Sequence, residues 1–214
     1  GIDRAGVLFP AETVGIISLY AFPRPNPYNL EKDQIPFAHC GPTNDECLPV
    51  VGGDMFDATQ RLTRTLIDAG HRRILLCLNP YRSERLRRDC LEGHLRAMEE
   101  AGLEADVEAA QESVGITQDA WQEAREWLQR HADATAIVNL SHPFSDLVFP
   151  TVERMGLRIP ENLSLAGWMN KTWLAEHNLR PTRPIFSDEM EASICLDLIE
   201  RQRRERRSVF NHVC

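Results

Sequence analysis

Gly53-Asp-Met-Phe-Asp-Ala-Thr-Gln-Arg-Leu-Thr-Arg-Thr-Leu-Ile-Asp-Ala-Gly-His-Arg-Arg-Ile-Leu-Leu-Cys-Leu78 holds an acidic loop, a helix and a buried strand in direct succession. Ala58, Leu62 and Leu66 recur every four residues with Ile67 beside them, which is one face of a helix. Gly70 suits the left-handed position that closes a helix, and His71, Arg72 and Arg73 favour its negative end. Ile74–Leu78 is an unbroken apolar run, as expected of a strand covered on both faces.

The same alternation extends outward. Downstream, the pattern predicts a helix over 83–101 with Leu91, Leu95 and Met98 on one side, and a strand over 105–110. A helix capped by Thr117 follows, with the face Trp121, Ala124, Trp127, Leu128 and His131, and then a strand over 135–140. A helix over 145–155, interrupted by Pro150, leads to a strand over 163–168. Ser187 caps a last helix, with acids in its first turn and five arginines between Arg201 and Arg207 near its end, a polarity that matches the helix dipole. Upstream, short apolar runs at 5–10, 14–22, 35–40 and 48–51 read as strands, separated by a segment with four prolines between Pro23 and Pro36. Strands alternating with helices call for βαβ units and parallel sheets, whose ligands lie at the carboxyl ends of the strands.

Composition narrows the function. A net charge of −8 disfavours a broad phosphate-gripping surface. The six cysteines are scattered without a CxxC pair, so neither a disulfide framework nor a zinc site is expected. His39, His94, His131, His177 and His212 lack metal-ligand partners at useful spacing. No Gly-x-Gly-x-x-Gly or Walker-type loop occurs, so no cofactor is expected. Ser141 and His142 adjoin, but neighbours in one loop rarely point at each other and no nucleophile elbow surrounds them, so no enzyme is expected. No secretory leader or membrane-length apolar run is present, which makes a cytoplasmic location the expectation.

Five strings, in order and at sensible spacing, resemble the effector-binding core of the LacI/GalR family of bacterial transcription regulators. They are Leu66-Ile-Asp-Ala-Gly-His-Arg-Arg-Ile74 preceded by Asp54, Gly93-His-Leu-Arg-Ala-Met98, Thr135-Ala-Ile-Val138, Met155-Gly-Leu-Arg-Ile-Pro-Glu-Asn-Leu-Ser-Leu-Ala-Gly167, and Arg183-Pro followed by Ser187-Asp-Glu-Met190. The resemblance covers about residues 35–210. It implies an α/β, periplasmic-binding-protein-like type I fold, with two parallel-sheet subdomains, three crossings and ligand in the cleft. One subdomain would hold 1–70 and 184–207, and the other 71–183 and 208–214. The family begins with a β–α–β–α–β run before the strand at Val14, and here almost nothing separates 5–10 from 14–22, so the first subdomain reads as incomplete. The resemblance also implies a homodimer, a small-molecule effector (a sugar or metabolite) and contact with DNA through a segment absent from this chain. A solute-binding protein of a sugar transport system is the alternative.

Family ligands are held by carboxylates, an arginine and amides. Asp54 matches the family's acidic position, and it reads equally as a hydroxyl acceptor or as a helix N-cap. Other positions depart. Cys90 stands where the family often has arginine, Ser141-His142 replaces Asn-Asp, and Met169-Asn170 replaces an aspartate pair. Tyr81, Trp168, Trp173 and Phe144 offer rings for stacking, or else core packing. The candidate ligand-binding set is thus Asp54, Tyr81, Cys90, Ser141, His142, Trp168 and Asn170. With the usual charges largely gone, either the effector is less polar or effector binding has been lost.

Overall fold

The computed structural model describes residues 12–19, 35–41, 49–78, 83–111, 119–169, 171–176, 180, 182–183 and 187–205. The predicted strand at 5–10, the segment 208–214 assigned to the second subdomain, and the sites at Tyr81 and Asn170 lie outside the described residues. Contacts divide the chain into two compact units. One comprises 1–53, 83–85 and 186–214, and the other 54–82 and 86–185.

The first unit holds three parallel strands in the order β1 (Ile16–Leu19), β2 (Phe37–Cys40), β3 (Val50–Val51). The runs at 14–22, 35–40 and 48–51 thus supply one sheet, and its central strand is buried along most of its length. The final helix of the chain, Asp188–Glu205, packs on it. Ser187 caps that helix as predicted, its Oγ accepting the Met190 N–H at 3.2 Å. Cys195 and Ile199 bury against Ala38 and Val51. Gln202 is also buried. Its amide accepts the Phe37 N–H at 3.0 Å and donates to the Phe37 carbonyl at 2.7 Å, so a side chain bonds both backbone groups at the start of β2.

The second unit holds a parallel sheet in the order β4 (Ile74–Leu78), β5 (Ala136–Leu140), β6 (Ser164–Gly167). Every residue of β4 and β5 is buried, as the unbroken apolar runs require. Helix α1 (Met55–Asp68) packs on this sheet. The division between the two compact units falls between Gly53 and Asp54, ahead of α1. Helix α2 (Glu84–Glu100) lies against α1, and a Cβ at Gly93 would strike the carbonyl of Phe56. That close approach turns the small face inward. Cys90, Gly93, His94, Ala97 and Met98 are buried, and the predicted Leu91 and Leu95 are only half-buried.

The opposite face of the sheet is covered by α4 (Ala120–Arg130) and α5 (His142–Arg154), with Trp127 and Phe144 meeting edge to face at 5.4 Å. Leu75, Cys77, Ile137, Val148 and Val152 fill the layer between. Trp121 instead stays on the surface under the Arg154 guanidinium. The predicted strand at 105–110 is a short helix, α3 (Val107–Gln111). Asp106 starts it by accepting the Ala109 N–H at 2.9 Å, and is itself held by Arg73 and His131, which come from distant parts of the chain. Helix α5 begins before the predicted Ser145, because Ser141 caps it and Pro143 suits its first turn. A short helix, α6 (Lys171–Glu176), follows β6, and the chain-terminal helix is α7. Among the described residues no helix is long and apolar enough to cross a membrane.

Candidate functional site

The carboxyl ends of β5 and β6 are locked together by one side chain that the sequence pattern did not single out. Asn139 is fully buried in an otherwise apolar strand. Its Nδ2 donates to the Trp168 carbonyl at 2.7 Å, and its Oδ1 accepts the Ser141 N–H at 3.0 Å. Its own carbonyl accepts the Trp168 N–H at 2.7 Å. Gly167, at φ +111°, lies so close to the Asn139 backbone that no Cβ fits. A polar residue inside a buried strand was the available signal, because such a group must be satisfied by partners somewhere. These bonds fix the loop after β5 and the loop after β6 in one rigid arrangement.

Ser141 sits at that corner, fully buried. Its Oγ accepts the Phe144 N–H at 3.3 Å as the α5 N-cap, and it also hydrogen-bonds Cys77. Burial pushes the Cys77 thiol well above its ordinary range, opposed only by that bond. The backbone of His142 opens α5, and its side chain lies outside the described atoms. Trp168 is half-buried, carried on the Asn139 clamp.

Asp54 is exposed and caps α1, its Oδ1 accepting the Asp57 N–H at 2.9 Å. The capping reading is therefore realised, with the second carboxylate oxygen left over. Cys90 is buried on the α1-facing side of α2. Its thiol is pushed up to about 11 by burial, against a hydrogen bond with Thr59. One turn earlier stands Arg87, close enough for its charge to favour the Cys90 thiolate. Arg87 and Cys90, three residues apart on the helix, share a face. Deeper along the same interface, Thr63 donates to the Thr59 carbonyl at 2.9 Å, so its oxygen accepts Nδ1–H of buried His94 at 3.1 Å. The remaining Nε2 of His94 is left without a partner. Burial lowers the pKa of His94 to about 4, keeping it neutral.

Asp54, Cys90, Ser141, His142 and Trp168 all belong to the second unit. Two of them, Ser141 and Trp168, are joined through Asn139. The arrangement sets helix N-termini and a held aromatic ring beside the ends of parallel strands. No group of three or more metal-ligating side chains occurs among the described residues.

Comparison with solved structures places this architecture. The transcriptional regulator CelR in complex with cellobiose superposes with a TM-score of 0.70 at 24% identity, over 89% of this chain and 60% of that one. The transcription regulator CcpA of Lactococcus lactis gives 0.73 at 18% identity, over 89% and 70%. A LacI-family transcriptional regulator from Enterococcus faecium with bound ribose gives 0.62 at 18% identity, over 82% and 65%. At these identities the likeness is one of fold, and the chain spans 60% of the length of the CelR chain. A search of curated proteins finds no match. The periplasmic binding protein-like domain matches residues 63–183, which run from α1 through the Asn139 clamp to the return crossing and make up more than half of the chain, and the protein belongs to that family.

Proposed function

We propose that this chain is the effector-binding and dimerisation core of a LacI-type bacterial transcription regulator, cytoplasmic and not an enzyme. It senses a sugar or small metabolite and controls DNA through a segment not contained in these residues. The supporting observation is the likeness of fold, over 82–89% of the chain, to regulators solved with cellobiose and with ribose. In this reading the ligand meets the second unit at the carboxyl ends of β4 to β6, where Trp168 supplies a ring and the free oxygen of Asp54 accepts a hydrogen bond. Ser141 serves the site by holding α5, since its hydroxyl is already engaged with Phe144 and Cys77. The ligand acts by binding one arrangement of the protein more tightly than another, and the homodimer passes that bias to DNA.

The test has two parts. A thermal-shift screen of sugars, sugar acids and sugar phosphates should find a stabiliser of the wild type whose effect Asp54→Ala weakens at least tenfold in affinity. The product of the complete gene is then tested by mobility shift on the DNA upstream of its own gene. Ligand-dependent DNA binding supports the regulator. Ligand binding without DNA binding supports a solute-binding protein for transport instead. Absence of any stabiliser counts against an effector site.

A further inference from the structure

Two thiols meet inside the first unit, where α7 packs on the sheet. Cys40 is the last residue of β2, and Cys195 lies on the sheet-facing side of α7. Both are free thiols, and their side chains hydrogen-bond each other. They differ in access. Cys40 is half-buried, whereas Cys195 is fully buried with Ala38, Val51 and Ile199. One turn before Cys195 stands Glu191, whose Oε2 accepts a hydrogen bond from the Cys40 Sγ at 3.4 Å. Burial first, and then this carboxylate, pushes the Cys40 thiol up to about 12, and burial raises the Cys195 thiol as well. At neutral pH both are protonated and slow to react. Sulfurs already in hydrogen-bond contact need little movement to reach bonding distance.

We propose that Cys40 and Cys195 are an oxidation site, which a small-molecule disulfide converts to a Cys40–Cys195 disulfide that fastens α7 to β2. Cys40, the accessible thiol, loses its proton and attacks one sulfur of the small disulfide. Half of that molecule stays on Cys40 as a mixed disulfide, and the other half leaves as a thiolate and takes up a proton. The Cys195 sulfur then attacks the Cys40 sulfur, gives up its own proton and releases the second half as a thiol. Two protein thiols are oxidised, and one small disulfide is reduced to two thiols. Glu191 restrains the first step, because its charge opposes the Cys40 thiolate. Once closed, the bond resists reduction, since thiols of high pKa are poor leaving groups. It encloses the second unit in sequence, so it constrains the unfolded chain strongly.

The test reduces the chain fully, adds oxidised glutathione, and follows intact mass and peptide maps without reductant. Wild type should become lighter by two hydrogen atoms, with Cys40 and Cys195 in one cross-linked peptide. Closure should run roughly 30-fold faster at about pH 8.5 than at about pH 7, in step with the thiolate fraction. The melting temperature should rise by about 4–16 °C, and excess dithiothreitol should reverse the rise. Cys195→Ala should accumulate the glutathione adduct on Cys40, and Cys40→Ser should leave Cys195 unmodified. A chain carrying Cys47→Ser and Cys214→Ser should close as wild type does. Glu191→Gln should speed closure about three- to tenfold at neutral pH, and slower closure would overturn the role given to Glu191. A wild-type chain that stays reduced, stops at the mixed disulfide, or cross-links any other pair of cysteines overturns the proposal.

Discussion

Substituting alanine for glycine at three positions separates two reasons for glycine in the second unit. At Gly156, φ is +74° and an added Cβ meets nothing within 4 Å, so the cost is the backbone conformation alone, about 1–2 kcal/mol. At Gly93, inside α2, the backbone is helical, but the Cβ would come within 3.1 Å of the Phe56 carbonyl carbon and closer still to its oxygen. Overpacking there costs about 1–3 kcal/mol, offset by about 1 kcal/mol of improved helix propensity. Gly167 combines both, with φ +111° and a Cβ 2.9 Å from the Asn139 carbonyl carbon, a backbone atom of the adjacent strand that cannot rotate away. Adding the two terms gives about 2–5 kcal/mol for Gly167→Ala, a large share of the stability of an ordinary domain. Urea unfolding followed by tryptophan fluorescence should therefore show Gly167→Ala as the most damaging of the three, with Gly156→Ala and Gly93→Ala both milder. With an m-value of about 2 kcal/mol/M, the midpoint falls by roughly 0.5–1 M for Gly156→Ala and 1–2.5 M for Gly167→Ala. If Gly167→Ala is no worse than Gly156→Ala, the close approach of β6 to Asn139 is not what demands glycine.

Two further outcomes follow from buried polar groups. His94 has a folded pKa of about 4 against an ordinary 6.5, so the unfolded chain takes up its proton first as pH falls. Its contribution is intact above about pH 6.5, declines between 6.5 and 4 by a total of about 3 kcal/mol, and levels off below; His94→Gln should flatten that part of the pH–stability curve, and an unchanged curve would refute the assignment. Gln202→Ala removes two buried hydrogen bonds to the Phe37 backbone and should destabilise the first unit by about 1–3 kcal/mol, with faster hydrogen exchange along 35–41 as the check, whereas Gln202→Glu, which keeps only an acceptor, should recover part of the loss.

The architecture was readable because burial on both faces leaves an unbroken apolar run, and Ile74–Leu78 and Ala136–Leu140 show one almost without interruption. The α1 face was read less fully. Thr59 and Thr63 bury beside Leu62 and Leu66, each donating its hydroxyl to the carbonyl one turn back, so a polar letter conceals an internally satisfied side chain. The segment at 105–110 was misread because its helix depends on Asp106, whose partners Arg73 and His131 are remote in sequence. The candidate site divides along the same line. The Asp54 cap is a contact three residues long and could be read locally. Asn139 acts through Trp168, far along the chain, so its role could not be read from spacing.

The amide clasp between Gln202 and Phe37 joins residues 165 positions apart. During synthesis β1, β2 and β3 leave the ribosome well before the helix that covers Ala38 and Val51. The whole second unit is translated in the interval and has all of its own sheet in hand before that helix exists. The first sheet must therefore wait with an apolar face bare and β2 only partly bonded, a strand template for any neighbouring nascent chain. In a cell, misassembly of this protein would begin at the strands of the first sheet, and a chaperone that serves it would be needed there until α7 arrives.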